Sequence, residues 1–495
     1  MNDIISALHD SRFFKPVFRD LSTWRPWEVY LRGLFGLPIE NRTDRQLFKS
    51  CTGLTRLPKE RPRESFVICG RRSGKSFISA VIAVYLAAFK DWSKFLNPGE
   101  KGWIFILSVD KLQSRIIKSY VEAILNGSRY FRNLIQKTTA EEVELRNNVT
   151  IAIKTSSFRS VRGYTLLAAI LEELAFWRSE DSANPDREIL AAVRPALATI
   201  PDGLLIGIST PYSRSGVLWD QFKANFGKTG GPLIWKAASA IMNPTLDIRL
   251  IKAAVREDEA ARAEWQAEWR SDITQFCPLE LVEAAVVPGR HELPKVEGAN
   301  YYAFADPSGG RSDSFTLGIA HREKTGKIVL DVLRERRPPF RPEAVVEEFA
   351  GVLKSFGVWT VSCDKYAGEW VKDSLSRNGV SVKYSELAAS ELYLNFLPLI
   401  SNGSVELLDD KRLVAQFTGL ERRVRAGGKD LITHYPGGHD DLANAAAGAV
   451  LLAEKRKECG FEVLEDEEDE GVEIGRNFEE SFSAALHKNR RLFDR

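Results

Sequence analysis

Two groups of residues in this 495-residue chain have the types and spacing that chemistry on phosphate requires. The first is the run Cys69-Gly-Arg-Arg-Ser-Gly-Lys-Ser76, which follows an apolar strand-like stretch and precedes the helical stretch Ser76–Phe89. Backbone N–H groups of such a turn, with the positive end of the following helix dipole, bind a polyphosphate. Gly74 allows the tight turn, Lys75 reaches the terminal phosphates, and the Ser76 hydroxyl is a ligand for Mg²⁺.

The phosphate loop departs from the usual pattern at one position. Cys69 stands where the first glycine is expected, and Gly70 follows one residue later. Arg71 is a candidate arginine finger that would neutralise charge on a γ-phosphate, the alternative being that it and Arg72 are ordinary surface charges. The residues predicted to hold the nucleotide in this loop are Gly70, Arg71, Arg72, Ser73, Gly74, Lys75 and Ser76.

A nucleotide site of this kind also needs acids at the end of a neighbouring strand. The apolar run Leu166–Leu171 leads directly into Glu172 and Glu173. The first is predicted to face the metal and the second to activate the attacking water, although both could be solvated glutamates at a helix start. A second strand, Leu204–Ile208, runs into Ser209 and Thr210, whose hydroxyls are candidates for sensing the γ-phosphate.

The second group consists of carboxylates at separate strand ends and at one helix start. Asp306 ends the run Tyr301–Ala305, Asp364 ends the run Trp359–Cys363, and Asp440 and Asp441 open the last helix. Each alone has an ordinary role as a turn or cap residue. Together they repel one another unless Mg²⁺ or Mn²⁺ neutralises them. Two such ions can activate a water and stabilise the leaving oxygen when a phosphodiester is cleaved. Their order along the chain is the layout of a ribonuclease-H-like nuclease. The sequence does not distinguish Asp440 from Asp441 as the main metal ligand.

The elements between these groups predict an α/β protein with two main domains. Alternating strands and helices predict a P-loop ATPase domain with a mainly parallel sheet, followed by a ribonuclease-H-like mixed α/β nuclease domain. An antiparallel meander at 301–333 opens the nuclease, and the Ala/Glu/Arg-rich stretch Lys252–Trp269 is expected to be helical. The predicted boundaries are 1–276 for the ATPase domain with a helical lid at about 240–276, 277–299 for a linker, 300–457 for the nuclease and 458–495 for a charged, flexible tail.

Composition excludes several classes of protein. Five widely spaced cysteines predict neither a disulfide framework nor a zinc site, and they favour a reducing compartment. The longest apolar runs are too short to span a membrane, for which about 20 residues are needed. The net charge is only +2, yet the segment 42–75 carries ten basic and three acidic residues, and 465–470 is entirely acidic. The overall balance is therefore compatible with a nucleic-acid partner.

A basic segment lies between the candidate nuclease acids. The run Arg422-Arg-Val-Arg-Ala-Gly-Gly-Lys429, followed by Leu431–Tyr435, is predicted to be a basic helix end, a turn and a strand. It would either face a phosphate backbone near the metal site or be a solvated helix terminus.

The ordered pair of sites resembles the large terminase subunit of tailed bacteriophages. The resemblance covers about Trp24 to Lys455 and is carried by the phosphate loop, the strand running into Glu-Glu-Leu-Ala-Phe-Trp177, Ser-Thr-Pro211, the two separate aspartates and Gly-Gly-His-Asp-Asp441. It implies ATP-driven translocation of double-stranded DNA into a procapsid and metal-dependent endonucleolytic cleavage of concatemers. It also implies a homo-oligomeric ring, contacts with the portal protein and a small terminase subunit, and work in the host cytoplasm outside the mature virion.

Residue roles follow from the same resemblance. Lys75 and Ser76 would bind ATP and Mg²⁺, Arg71 would be the finger, and Glu173 would be catalytic with Glu172 on the metal side. Thr210 would couple hydrolysis to movement, and the nuclease metals would be held by Asp306, Asp364 and Asp441, with Asp440 beside them. The family's adenine-reading glutamine would correspond to Glu28, which puts adenine recognition by that residue in doubt.

Three other functions remain open from the residues alone. A helicase-type DNA translocase would use the second domain only to bind nucleic acid. A resolvase or transposase would need only the nuclease. An assembly scaffold would need neither site and would act through the charged tail.

Overall fold

The computed structural model describes residues 3–58, 60–155, 161, 163–177, 182–311, 313–364, 369–424 and 430–454. The expected C-terminal tail lies outside these ranges. The α-helices are α1 Ile4–His9, α2 Arg25–Leu34, α3 Arg42–Thr52, α4 Lys75–Phe89, α5 Lys111–Gly127, α6 Arg129–Leu134, α7 Pro185–Ala196, α8 Gly216–Asn225, α9 Ser239–Met242, α10 Ile248–Glu257, α11 Glu259–Gln266, α12 Leu279–Ala285, α13 Pro342–Ser355, α14 Glu369–Arg377, α15 Ala389–Ser401, α16 Lys411–Thr418 and α17 Asp441–Glu454. The strands are β1 Glu64–Cys69, β2 Gly102–Ser108, β3 Ile135–Thr138, β4 Glu142–Leu145, β5 Val149–Thr155, β6 Thr165–Glu172, β7 Leu204–Ser209, β8 Leu233–Ala237, β9 Ile273–Gln275, β10 Tyr301–Asp306, β11 Phe315–Arg322, β12 Ile328–Arg336, β13 Thr360–Cys363, β14 Ser381–Tyr384, β15 Val405–Glu406, β16 Leu420–Arg423 and β17 Leu431–His434.

The first eight strands form one sheet in the order β3-β4-β5-β2-β6-β7-β1-β8. Strands β5, β2, β6, β7, β1 and β8 are parallel, whereas β3 and β4 make an antiparallel edge. Because β6, β7 and β1 are direct neighbours, the residues that follow them meet at one edge of the sheet. This topology confirms the expected mainly parallel sheet.

Both faces of this sheet are covered. Along β1, Val67 and Cys69 pack into one apolar cluster while Phe66 and Ile68 pack into the other, as the alternation of side chains in a strand requires. Helix α4 fills the first cluster and is buried along most of its length. The phosphate loop is therefore held between a buried strand and a buried helix.

The second sheet has the order β14-β13-β10-β11-β12-β15. The strands β10, β11 and β12 form the expected antiparallel meander, and β13 and β14 add in parallel next to β10. Phe304 faces a cluster that includes α17, while Ala303 and Ala305 face the cluster beneath α13. Helices on both faces of this mixed sheet are the expected ribonuclease-H-like arrangement.

A third sheet joins distant parts of the chain. Strand β16 pairs antiparallel with both β17 and β9, so residues 273–275 hydrogen-bond to residues 421–423. The short strand β9 therefore belongs structurally with the later part of the chain, although it precedes the segment 277–299.

The helical stretch expected over Lys252–Trp269 consists of α10 and α11, which are separated because Asp258 leaves the helical conformation and caps α11 by accepting from the backbone N–H of Ala260 at 2.8 Å. One local expectation was wrong. Arg422 and Arg423 are not at a helix end, since α16 ends at Thr418 and both arginines lie on β16. The rest of that basic segment, 425–429, lies outside the described residues.

None of the described helices is both long and apolar enough to cross a membrane.

Two helical glycines give a test of this packing. A Cβ on Gly448 of α17 would lie 2.2 Å from Cγ of the buried Phe304 ring, whereas a Cβ on Gly351 of α13 would meet nothing within 4 Å. We expect Gly448→Ala to lower the free energy of unfolding by about 1–3 kcal/mol through overpacking. Gly351→Ala should raise it by roughly 0.5–1 kcal/mol, because alanine favours the helix. Thermal unfolding of both full-length variants checks the pair, and equal shifts would contradict the packing of α17 on β10.

Candidate functional site

The phosphate loop lies at the carboxyl end of β1 and leads straight into α4. Gly74 adopts φ +89°, a left-handed conformation that favours glycine, and Lys75 begins the helix. The Lys75 ammonium is buried and donates to the carbonyls of Cys69 and Gly70 at 3.3 and 3.2 Å and to Thr210 Oγ1 at 2.9 Å. The three sequence motifs of the nucleotide site are thus brought to one ammonium group.

Glu172 lies at the end of β6, fully buried beneath the loop. Its carboxylate accepts from the hydroxyl of Ser76 at 3.1 Å and from that of Ser79, one turn further along α4. Burial raises the pKa of Glu172 to about 7, and these hydroxyls together with Lys75 oppose the rise. The acid therefore sits next to the hydroxyl that is the candidate Mg²⁺ ligand.

Glu173 is held by the loop that follows β7. The residue has φ +53°, and its Oε2 accepts from the Thr210 N–H and the Ser209 hydroxyl, each at 3.2 Å. Its Oε1 lies 3.5 Å from the Lys75 ammonium. A left-handed conformation in a residue other than glycine is costly and often occurs at functional sites.

The loop borders a cavity of about 600 Å³, which is lined by Arg71, Arg72, Ser73, Gly74, Lys75, Ser76, Phe77, Val109, Asp110, Gln113, Ile116, Tyr120, Glu173, Phe176 and Thr210. Ser73 Oγ is buried and has no hydrogen-bond partner among the described residues, which fits a site meant for a phosphate oxygen. Gln113 Nε2 donates to Ser76 Oγ at 3.1 Å. The cavity and the loop amides fit a nucleoside triphosphate.

Arg71 lines the cavity and also contacts helix α11. Its guanidinium forms an ion pair with Glu264 of α11, and its backbone N–H donates to the Glu264 carbonyl at 2.6 Å. Asn243 Nδ2 donates to the carbonyl of Arg72 at 2.8 Å. The segment before β9 thus braces the phosphate loop from outside.

Two tryptophans support the loop from the N-terminal segment. Trp27 Nε1 donates to the Ser73 carbonyl at 2.6 Å, and a Cβ on Gly74 would lie 2.7 Å from Trp24 Cη2. Glu28 contacts His9 at 3.1 Å and is not among the residues that line the cavity.

Asp306 is the centre of the second site. It ends β10, and its Oδ2 accepts from Asn444 Nδ2 at 2.7 Å. Burial raises the pKa of Asp306 to about 8, and the neighbouring carboxylates of Asp441, Asp440 and Asp364 add to the rise. Carboxylates whose charges oppose one another in this way fit a divalent cation.

Asp440 and Asp441 lie at the start of α17 and have different partners. The Asp440 carboxylate accepts from the hydroxyl of the buried Tyr393 at 3.0 Å, whereas Asp441 Oδ2 accepts from the Ser314 N–H at 3.4 Å and lies 3.8 Å from His439 Nδ1. Burial raises the pKa of both aspartates, that of Asp441 to about 6. Both therefore remain candidate ligands.

Asp364 follows β13, which is the parallel neighbour of β10. This places it at the same sheet edge as Asp306, whose pKa it helps to raise. Across the described ranges, no three His, Cys, Asp or Glu side chains converge closely enough to hold a metal ion as they stand. Asp306 and Asp440 are instead held by Asn444 and Tyr393.

Sequence reasoning missed the supporting residues of both sites. Ser79 and Gln113 contact the nucleotide-site groups, and Tyr393 and Asn444 hold the aspartates. For Ser79 and Asn444 a signal existed, because each is a polar residue on an otherwise apolar helix, one turn from a singled-out residue.

No protein-family model matches the chain. The large terminase subunits of Thermus phage G20c and Thermus virus P23-45 are each 23% identical to it, over 448 and 450 residues, which is 80% of this chain and 86% of each relative. The large terminase of bacteriophage HK97 matches with a TM-score of 0.35 and 16% identity, covering 79% of this chain and 91% of that one. The sequence comparison confirms the resemblance to phage large terminase subunits.

Proposed function

We propose that this protein is a large terminase subunit, which uses ATP hydrolysis to translocate double-stranded DNA into a procapsid and a metal-dependent nuclease to cut it. The observation that carries the proposal is the presence of two sites in one chain. One gathers Lys75, Glu173 and Thr210 around a phosphate loop. The other gathers Asp306, Asp441 and their neighbours on a ribonuclease-H-like sheet.

At the nucleotide site, Lys75 exchanges its carbonyl and hydroxyl partners for phosphate oxygens, which the loop amides and Ser73 also bind. Ser76 and Glu172 would hold Mg²⁺, which would supply positive charge to neutralise the phosphates. Glu173 orients the attacking water and accepts its proton. Arg71 remains the candidate finger, and it acts by leaving Glu264 for the γ-phosphate.

At the nuclease site, Asp306, Asp364 and Asp441, with Asp440 beside them, would hold Mg²⁺ or Mn²⁺. Such an ion would supply activation of a water and stabilisation of the leaving oxygen of a phosphodiester. Asn444 fixes the Asp306 carboxylate and Tyr393 fixes that of Asp440, so the acids are oriented before DNA arrives. Arg422 on β16 is half exposed, pairs with Asp430 and is our candidate contact to the DNA backbone, whereas Arg423 is engaged by Glu421.

We propose the domain boundaries expected from the sequence: 1–276 for the ATPase domain with its lid at about 240–276, 277–299 for the linker, 300–457 for the nuclease and 458–495 for the tail. Two elements cross these boundaries, because β9 pairs with β16 and α12 packs into the same apolar cluster as α17. We infer that the protein acts as a homo-oligomeric ring in the host cytoplasm. In this assignment it docks on the portal protein and receives DNA from a small terminase subunit.

Two assays on the full-length protein test this function together. We expect ATP hydrolysis that needs Mg²⁺ and is stimulated by double-stranded DNA, and nicking of supercoiled plasmid that needs Mn²⁺ or Mg²⁺ and stops with EDTA. The nicking should not require ATP hydrolysis, since the two sites hold separate residues. ATPase without nicking would favour a helicase-type translocase, and nicking without ATPase would favour a resolvase.

A further inference from the structure

One tyrosine in the loop after β7 connects two lobes, the phosphate-loop lobe built on the first sheet and the nuclease lobe that contains β16 and the second sheet. The Tyr212 hydroxyl donates to Glu421 Oε2 at 3.0 Å, across the boundary between the phosphate-loop part of the chain and β16. Glu421 is only 6% exposed, and its Oε2 also accepts from Arg423 Nη2 at 3.0 Å. A buried, charge-assisted hydrogen bond is strong and specific in its geometry, which makes this contact more than incidental.

On its other side, Tyr212 packs against a residue that lines the nucleotide cavity. It follows Thr210 by two residues, and its ring centroid lies 5.3 Å from that of Phe176, which lines the cavity. The loops after β6 and β7 are themselves joined, because the Ser209 hydroxyl donates to Glu173 and accepts from the Ala175 N–H at 3.2 Å. A displacement of Glu173 therefore reaches Tyr212 through the joined loops and the Phe176 ring, and a displacement of Thr210 reaches it through the backbone.

Tyr212 is also fixed by the segment that leads into β9. The Arg270 N–H donates to the Tyr212 carbonyl at 2.9 Å, and the Arg270 guanidinium lies 5.8 Å from the centre of the tyrosine ring. Arg270 in turn forms a two-point pair with Asp272 at 3.0 and 2.6 Å. The ring has little freedom to move unless its neighbours move with it.

From Glu421 the polypeptide leads to the nuclease acids. Glu421 pairs with Thr433 of β17, and the non-strand connection that follows β17 leads through Tyr435 to Asp440 and Asp441. A Cβ on Gly438 would lie 2.8 Å from Tyr435 Cζ, so this short connection is packed tightly. A shift of the β16–β17 hairpin is thus passed on to the start of α17.

We propose that Tyr212 and Glu421 are positioning residues that couple occupancy of the nucleotide cavity to the hairpin that leads to the nuclease acids. The proposal rests on the function proposed above. When Lys75 binds a phosphate, Thr210 and Glu173 lose a partner, and the loops after β6 and β7 rearrange. The hydrogen bond from the Tyr212 hydroxyl to Glu421 then changes its geometry. By linkage, the nuclease lobe then influences nucleotide affinity to the same extent.

Hydrogen–deuterium exchange on the full-length protein tests this without relying on catalysis. Adding the non-hydrolysable analogue AMP-PNP with Mg²⁺ should protect the loop 70–77 and change exchange rates in 420–424 and 430–435. We expect a change in the hairpin of about fivefold or more, the lower end of typical allosteric coupling. In Tyr212→Phe, the loop should still be protected while the hairpin response disappears.

Controls separate coupling from general loosening. Tyr30→Phe removes another buried tyrosine hydroxyl, which bonds Ser65 at 3.2 Å, and it should keep the hairpin response. Glu421→Gln should weaken the response from the opposite lobe, and the double variant should lose no more than Tyr212→Phe alone. A hairpin response that survives in Tyr212→Phe overturns the inference and leaves the proposed function standing. Wild-type protein that shows no protection of 70–77 overturns both.

Discussion

Lys75→Ala is expected to lower the rate of ATP hydrolysis by about 10²–10³-fold, the usual effect of removing one preorganised charge donor from an active site. The ammonium is buried and is the point where the loop carbonyls, Thr210 and Glu173 converge, so an alanine leaves the terminal phosphates without their main cation. Plasmid nicking with Mn²⁺ should persist, because its residues lie on the other sheet. Steady-state ATPase and nicking assays on the same preparation measure both.

Lys49→Ala is the matched control for this prediction. Lys49 lies exposed on α3, and its loss should leave both activities unchanged. Hydrolysis by the Lys75 variant at the wild-type rate would show that the phosphate loop does not bind the hydrolysed nucleotide.

Asp306→Asn should reduce metal-dependent nicking by at least about 100-fold, since loss of a metal ligand removes more than loss of a supporting residue does. Asparagine keeps the shape of the side chain and can still accept from Asn444, so the thermal unfolding temperature should remain close to that of the wild type. Titration with Mn²⁺ followed by nicking rates shows whether the metal is bound more weakly.

The exposed Asp373 of α14 offers a comparison in the same lobe. Asp373→Asn should nick plasmid at the wild-type rate and keep the wild-type requirement for metal. Equal nicking by the two variants would remove Asp306 from the nuclease site and favour a role for this lobe in binding DNA only.

The local sequence predicted the parts of the fold that depend on neighbouring residues. The phosphate loop needs only a buried strand, a glycine turn and an apolar helix, and all three are adjacent in the chain. The acids at strand ends were found for the same reason, since parallel strands place their carboxyl ends at one edge. The split between α10 and α11 and the strand at Arg422 were missed, because a cap at Asp258 and the pairing of β16 compete with helical composition.

Contacts between distant residues could not be predicted in this way. Nothing near Glu421 indicates Tyr212, and nothing near Arg71 indicates Glu264, because both pairs form only when separate elements pack. The residues that hold the acids, Tyr393 and Asn444, are likewise positioned by tertiary packing on Asp440 and Asp306. Sequence patterns thus identified the reactive groups better than the residues that orient them.

The third sheet also has a consequence for biosynthesis. Strand β9 is synthesised long before its partner β16. The Gln275 side chain, for example, donates to the carbonyl of Thr418, which lies 143 positions later in the chain. At about 5–20 residues per second, the ribosome leaves β9 without its neighbour for roughly 7–30 s. An unpaired strand edge is prone to join other chains. Nascent chains therefore carry β9 without its strand partner between the emergence of residue 275 and the completion of the β16–β17 hairpin.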